Sequence, residues 1–197
     1  MGEKKIKVKV LTPIGRVSYP YLDKADEGRE YSDGKYSVNI LIPKEEWKEK
    51  GKEIMDAALS VARAYHDKPN AKLADFRLPF RDLAKSEKCP ENKKGFIAIK
   101  ARTKSAPIVM GPDKKVFGPD EIKAKVVEGC YARMAITIAG YPQKPEGVTA
   151  FLGLVQYVRP GESFGEGGGD LKEMVDVIED MEVVADVGED DVSESHF

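Results

Sequence analysis

At 197 residues the chain is long enough for one ordinary domain with a real core and too short for two generous ones. The formal charge of −2 averages two opposite objects: residues 1–161 carry 31 Lys+Arg against 21 Asp+Glu, and residues 162–197 carry 1 against 13. A basic body with an acidic end points to nucleic acid as partner; no apolar run approaches the ~20 residues of a membrane span, and Cys89 and Cys130 lack the spacing of a zinc site or disulfide framework.

The N-terminal Met-Gly-Glu-Lys-Lys leads into strict alternation at Lys5-Ile6-Lys7-Val8-Lys9-Val10, the period-2 pattern of a half-buried strand and not the apolar core of a signal peptide. The expected address is therefore the cytoplasm. After Thr12-Pro13-Ile14-Gly15 and a charged loop with a turn at Ser32-Asp33-Gly34, a strand is expected from Lys35 to Ile42, with Tyr36, Val38, Ile40 and Ile42 inward. From Lys44 to His66 the apolar residues Trp47, Ile54, Ala58, Val61 and Tyr65 recur at helical spacing, which predicts a single helix. Residues 67–95 read as loop, with Phe76 to Asp82 a compact segment bearing two aromatics and two arginines. Strands are expected at Phe96 to Lys104, Tyr131 to Tyr141 and Val148 to Val158, with turns at Gly111 to Lys115 and at Gly118-Pro119-Asp120. Tyr36, Tyr65, Phe96 and Phe151 are assigned to the core. A glycine hinge at 165–169, an amphipathic helix from Leu171 to Met181 and a disordered acidic end follow. The pattern is mainly β: an oligonucleotide/oligosaccharide-binding (OB)-like barrel over residues 1–161 with one inserted helix, then linker and tail over 162–197.

The outward positions of these strands hold Lys5, Lys7, Lys9, Lys35, Lys100, Arg102, Lys104 and Arg133 and almost no acid. A surface serving solubility alone mixes the signs. Tyr19, Tyr21, Phe80, Tyr131 and Tyr141 lie beside basic residues, and phosphate-tracking cations interleaved with aromatic faces are what single-stranded nucleic acid requires. Catalysis has no comparable candidate. Asp113 or Asp120 followed by Glu121-Ile122-Lys123 has the letters of a Mg²⁺ nuclease, but the spacing is short and turns bracket it; there is no phosphate-cradling loop, nucleophile elbow or histidine pair. No metal or cofactor is expected. In the tail, Glu189, Asp190, Asp191 and Glu194 precede a terminal Phe197, whose ring and carboxylate together suit a basic pocket on a partner.

Thr12-Pro13-Ile14-Gly15-Arg16-Val17-Ser18-Tyr19-Pro20, Lys35-Tyr36-Ser37-Val38, Leu78-Pro79-Phe80-Arg81-Asp82 and Gly147-Val148 through Leu154-Val155-Gln156-Tyr157-Val158 together resemble a family of phage-encoded single-stranded-DNA-binding proteins. The resemblance implies an OB-fold and non-catalytic, largely sequence-independent binding of single strands in phage replication or recombination, in the host cytoplasm. The tail is similar to those through which single-strand binders recruit replication proteins. In place of the glycine and acidic residues expected after Asp82, this chain has Leu83-Ala84-Lys85. The expected contact set is Arg16, Tyr19, Tyr21, Phe80, Arg81, Lys100, Arg102, Lys104, Tyr131 and Arg133, with homo-oligomerisation compatible. The alternatives are a protein-interaction module of a replication or recombination complex and, remotely, the nuclease.

Overall fold

The structure is a computed structural model in which residues 6–27 and 34–164 are described. The glycine hinge, the amphipathic stretch and the acidic end expected beyond residue 164 lie outside them. Strand β1 (Lys7–Leu11) buries Val10 and leaves Lys7 and Lys9 in solvent, as its alternation requires. The chain then breaks at Thr12-Pro13-Ile14. Buried Thr12 keeps the break attached, because its hydroxyl accepts the Met134 N–H at 3.0 Å while its own N–H donates to the Met134 carbonyl at 2.9 Å. Strand β2 (Gly15–Tyr21) follows, and β3 (Tyr36–Pro43) buries Val38, Ile40 and Ile42.

The single helix expected over 44–66 is two, α1 (Lys44–Lys50) and α2 (Lys52–Tyr65), joined at Gly51. A Cβ at Gly51 would lie 2.5 Å from the Trp47 indole, so the ring packs directly on backbone at the junction. Helix α2 buries Ile54, Ala58, Val61 and Ala62. Tyr65, expected in the core, is instead exposed at the end of the helix. Residues 67–95 contain three short 3₁₀ turns and a strand, β4 (Phe80–Asp82). Strands β5 (Phe96–Thr103) and β6 (Ile108–Met110) come next.

A third helix, α3 (Pro119–Lys125), stands where a turn is expected at Gly118-Pro119-Asp120. Proline at the first helical position loses no useful donor, and the Glu121 carboxylate accepts the Gly118 N–H at 3.3 Å. Ile122 and Val126 then anchor it in the core. Strands β7 (Tyr131–Tyr141) and β8 (Gly147–Arg159) complete the fold.

Around the barrel the order is β2, β3, β5, β8, β7 and back to β2, with β1 continuing β2 along β7. All contacts in this circuit are antiparallel except β5 with β8, which are parallel and meet only at Arg102 and Phe151. This is the connectivity of an OB barrel, as expected, with three helices among the described residues in place of one. Ile99, Met134, Ile136, Ile138 and Val155 fill the interior, each burial stabilising by about 1.5–3 kcal/mol. A smaller apolar cluster, Leu41, Leu83 and Ala98 with Phe96 and Phe164, covers one end of the outer face of β3 and β5.

Candidate nucleic-acid interface

Register places the outward side chains of the barrel in rows. Tyr21 of β2 lies opposite Ser37 of β3, Ser37 opposite Arg102 of β5, and Arg102 opposite Phe151 of β8. The next row runs Ser18, Asn39, Lys100. In OB barrels the second and third strands form the oligonucleotide-binding face; here these are β3 and β5. Phe151, assigned to the core from sequence, is 48% exposed. The cause is parity: Val148, Ala150 and Leu152 point inward, so Thr149 and Phe151 point out. A second flank differs in kind, since Leu11, Ala135, Leu154 and Ile108 form an apolar row across β1, β7, β8 and β6.

Because β5 and β8 touch at only one pair, a gap opens between them, and residues 77–82 fill its floor. Arg77 bridges to Gly147, donating its N–H to the Glu146 carbonyl at 2.8 Å and accepting from the Val148 N–H at 2.9 Å. Lys100 donates its backbone N–H to the Pro79 carbonyl at 2.8 Å, and β4 then pairs with β5. A Cβ on Gly147 would come within 2.1 Å of the Arg77 carbonyl, so this approach requires glycine. The result is a groove of about 290 Å³ lined by Arg77, Phe80, Arg81, Lys100, Arg102 and Tyr141, among others. Phe80 packs on Trp47 with ring centroids 5.2 Å apart, so it forms wall. The Arg77 guanidinium lies 5.3 Å from the centre of the Tyr141 ring. Asp82 closes the far end of β4 on Lys44 at 2.6 Å, and that hydrogen bond holds its carboxyl below the usual range.

Beside the groove, cations and rings alternate. Arg159 stands 3.6 Å from the Tyr131 ring centre and Arg16 stands 5.3 Å from the same centre. Arg16 is in turn 4.4 Å from the Phe164 ring, Lys93 is 5.1 Å from Phe164, and Lys93 is 4.3 Å from Tyr19. Arg16 is fixed by the carbonyls of Gly129, at 2.7 Å, and Glu162. Lys93 is buried and ion-paired with Glu128, and the Ser18 hydroxyl joins both at 3.0 Å. Glu128 also accepts the Tyr19 N–H at 2.7 Å. Tyr19 has φ of 51° and is half exposed.

Of the expected contact set, Phe80, Arg81, Lys100 and Arg102 meet in the groove and Tyr21 joins its edge by register. Arg16, Tyr19 and Tyr131 belong to the stack of cations and rings. Lys104 is exposed in the bend after β5, and Arg133 lies apart on β7, donating to Gln156 at 2.9 Å. Glu189, Asp190, Asp191, Glu194 and Phe197 are outside the described residues. Sequence reasoning missed Lys93, Arg159 and Phe164, whose partners are distant in the chain, and Phe151, which sits in a nearly unbroken apolar run. Glu121 caps α3 and Asp113 accepts a turn N–H from Lys115, so these acids do not converge from strand ends. Among the described residues no three His, Cys, Asp or Glu side chains gather as an ion site, and no helix is long and apolar enough to cross a membrane.

The family profile of the single-stranded-DNA-binding protein of Enterobacter phage Enc34 matches residues 7–187. The chain belongs to this family. Several solved structures are similar, three of which illustrate the range. The Enc34 protein in complex with single-stranded DNA superimposes with a TM-score of 0.69 at 22% identity, covering 83% of this chain and 100% of that one. A second structure of the Enc34 protein gives 0.63 at 26% identity, covering 86% and 90%. The bacteriophage T7 single-stranded-DNA-binding protein gp2.5 gives 0.53 at 17% identity, covering 81% and 96%, a likeness of fold alone. Among curated proteins the sequence finds no match.

Proposed function

We propose that this chain coats single-stranded DNA during phage DNA replication or recombination, without catalysis and largely without sequence preference. The row Tyr21, Ser37, Arg102, Phe151, beside a groove lined by Arg77, Arg81 and Lys100, carries this reading. It offers ring faces for stacking and cations for phosphates on the face where OB barrels take oligonucleotides, and membership of the Enc34 family supports it. The acidic tail with Phe197 recruits replication or recombination proteins in this reading.

Anisotropy of labelled oligo-dT tests the proposal. Saturable binding that weakens steeply with salt is expected, because each phosphate contact releases counterions. No binding at low salt would sink it, and equal affinity for duplex DNA would favour a protein-interaction module instead.

A further inference from the structure

The stack of cations and rings holds two members from outside the barrel wall, Lys93 in a 3₁₀ turn and Phe164. Phe164 follows Pro160 and Gly161 beyond the end of β8, and its ring lies between Arg16 at 4.4 Å and Lys93 at 5.1 Å. Its edge meets Phe96 at 5.7 Å between centroids, and its carbonyl accepts from the Asn92 amide at 2.8 Å. Around that ring stand two cations, the Phe96 ring in edge contact, and the apolar Leu41, Leu83 and Ala98 cluster on the outer face of β3 and β5. Ser18, whose hydroxyl accepts from Lys93 at 3.0 Å, pairs with Asn39, and Asn39 with Lys100 of the groove. Ser18, which Lys93 contacts at the edge of the slot, therefore lies two strand spacings, about 10 Å, from Lys100.

A phenyl ring satisfies only part of what this slot presents. Among the described residues, the one ion pair in the stack is Lys93 with Glu128; Arg16 is held by neutral carbonyls. The complementary occupant is planar and aromatic and also carries negative charge, which describes a nucleotide. Stacking of a base between such walls and the ring–cation contacts that Phe164 now makes are of the same order. The phosphate adds an attraction to Arg16, held by neutral carbonyls, that phenylalanine lacks. We infer that the space between Arg16 and Lys93 is a nucleotide subsite continuous with the groove, filled by the chain's own Phe164 until a single strand displaces it.

This inference rests on the DNA-binding reading, and its test separates the two. Phe164→Trp puts a fluorescent reporter in the slot, with the wild-type chain, whose one tryptophan is buried Trp47, supplying the background to subtract. Oligo-dT binding followed by anisotropy should then be accompanied by a red shift and greater acrylamide quenching of the introduced indole. Saturation by anisotropy with unchanged emission would overturn the subsite while leaving DNA binding intact; absence of anisotropy change would overturn both. Phe164→Ala should tighten binding by about three- to tenfold by emptying the slot beforehand. Weaker binding by this variant, at an unchanged melting temperature, would show that Phe164 is itself a contact and would equally overturn the proposal.

Discussion

Tyr19 occupies a backbone conformation that costs a non-glycine residue about 1–3 kcal/mol, and its surroundings explain how it persists. Its N–H donates to Glu128, its ring lies on the Lys93 ammonium, and the Ser18 hydroxyl ties that pair together. The ring itself remains half exposed beside the Ser18, Asn39, Lys100 row. Y19G should therefore leave stability within about 1 kcal/mol, since relief of the left-handed backbone offsets the lost ring contact. Single-strand affinity should fall by about 1–3 kcal/mol, the worth of one stacked base. Urea unfolding and anisotropy measured on the same preparation would separate the two effects; unchanged affinity would remove Tyr19 from the interface. A second residue-scale effect concerns Cys130, whose burial pushes its thiol from an ordinary 9.0 up to about 11. The folded thiol keeps its proton where the unfolded one has lost it, so its stabilising contribution is complete below pH 9 and is lost as pH rises from 9 towards 11. Under reducing conditions, the urea midpoint of the wild type should fall more steeply across that window than that of C130A.

At the scale of elements, the groove depends on one backbone approach. Residues 77–82 close the gap between β5 and β8 only because Arg77 reaches Gly147, where no side chain fits. G147A should push Arg77 away and loosen β4, lowering stability by about 1–3 kcal/mol and weakening single-strand binding although no groove side chain has changed. R81A, by contrast, should preserve stability and reduce the salt slope by about one phosphate. Loss of affinity in G147A without loss of stability would show that the bridge is not what holds the groove wall. The same elements show what sequence patterning conveys. Strict alternation in β1 and β7 and the helical spacing of Ile54, Ala58 and Val61 are local signals, so those elements were legible. Helix α3 was not, because Gly118-Pro119-Asp120 serves a turn and a helix start equally well until Ile122 and Val126 are seen buried. The same holds for residues 77–82: their strand character comes from Gly147 and β5, which are distant in sequence. Cations could be placed on outward strand positions by parity, but parity does not say which flank they share, so Lys7, Lys9 and Arg133 joined Lys100 and Arg102 in one expected face. Phe151 was hidden for a simpler reason: a nearly unbroken apolar run masks its own alternation.

For the whole molecule the decisive quantity is the distribution of charge, since an overall −2 would repel a polyanion while the basic body alone attracts it. Removing residues 188–197 deletes Glu189, Asp190, Asp191 and Glu194, which shifts the formal charge by four, from −2 to +2. If long-range electrostatics governs encounter, the truncated chain should associate with oligo-dT faster at low salt, and the advantage should fade as the Debye length shrinks from about 30 Å at 0.01 M to about 3 Å at 1 M. Dissociation should change less, because the groove and its rows are untouched. Stopped-flow association across a salt series is the appropriate measurement. A gain that persists at 1 M salt would point to short-range displacement in place of steering, and no gain at any salt would mean that the tail's charge does not influence DNA capture. In the proposed reading, the same truncation also abolishes recruitment of protein partners, because it removes Phe197 together with the acids that precede it. A pull-down with full-length and truncated chain, each already bound to single-stranded DNA, would distinguish lost recruitment from altered DNA binding.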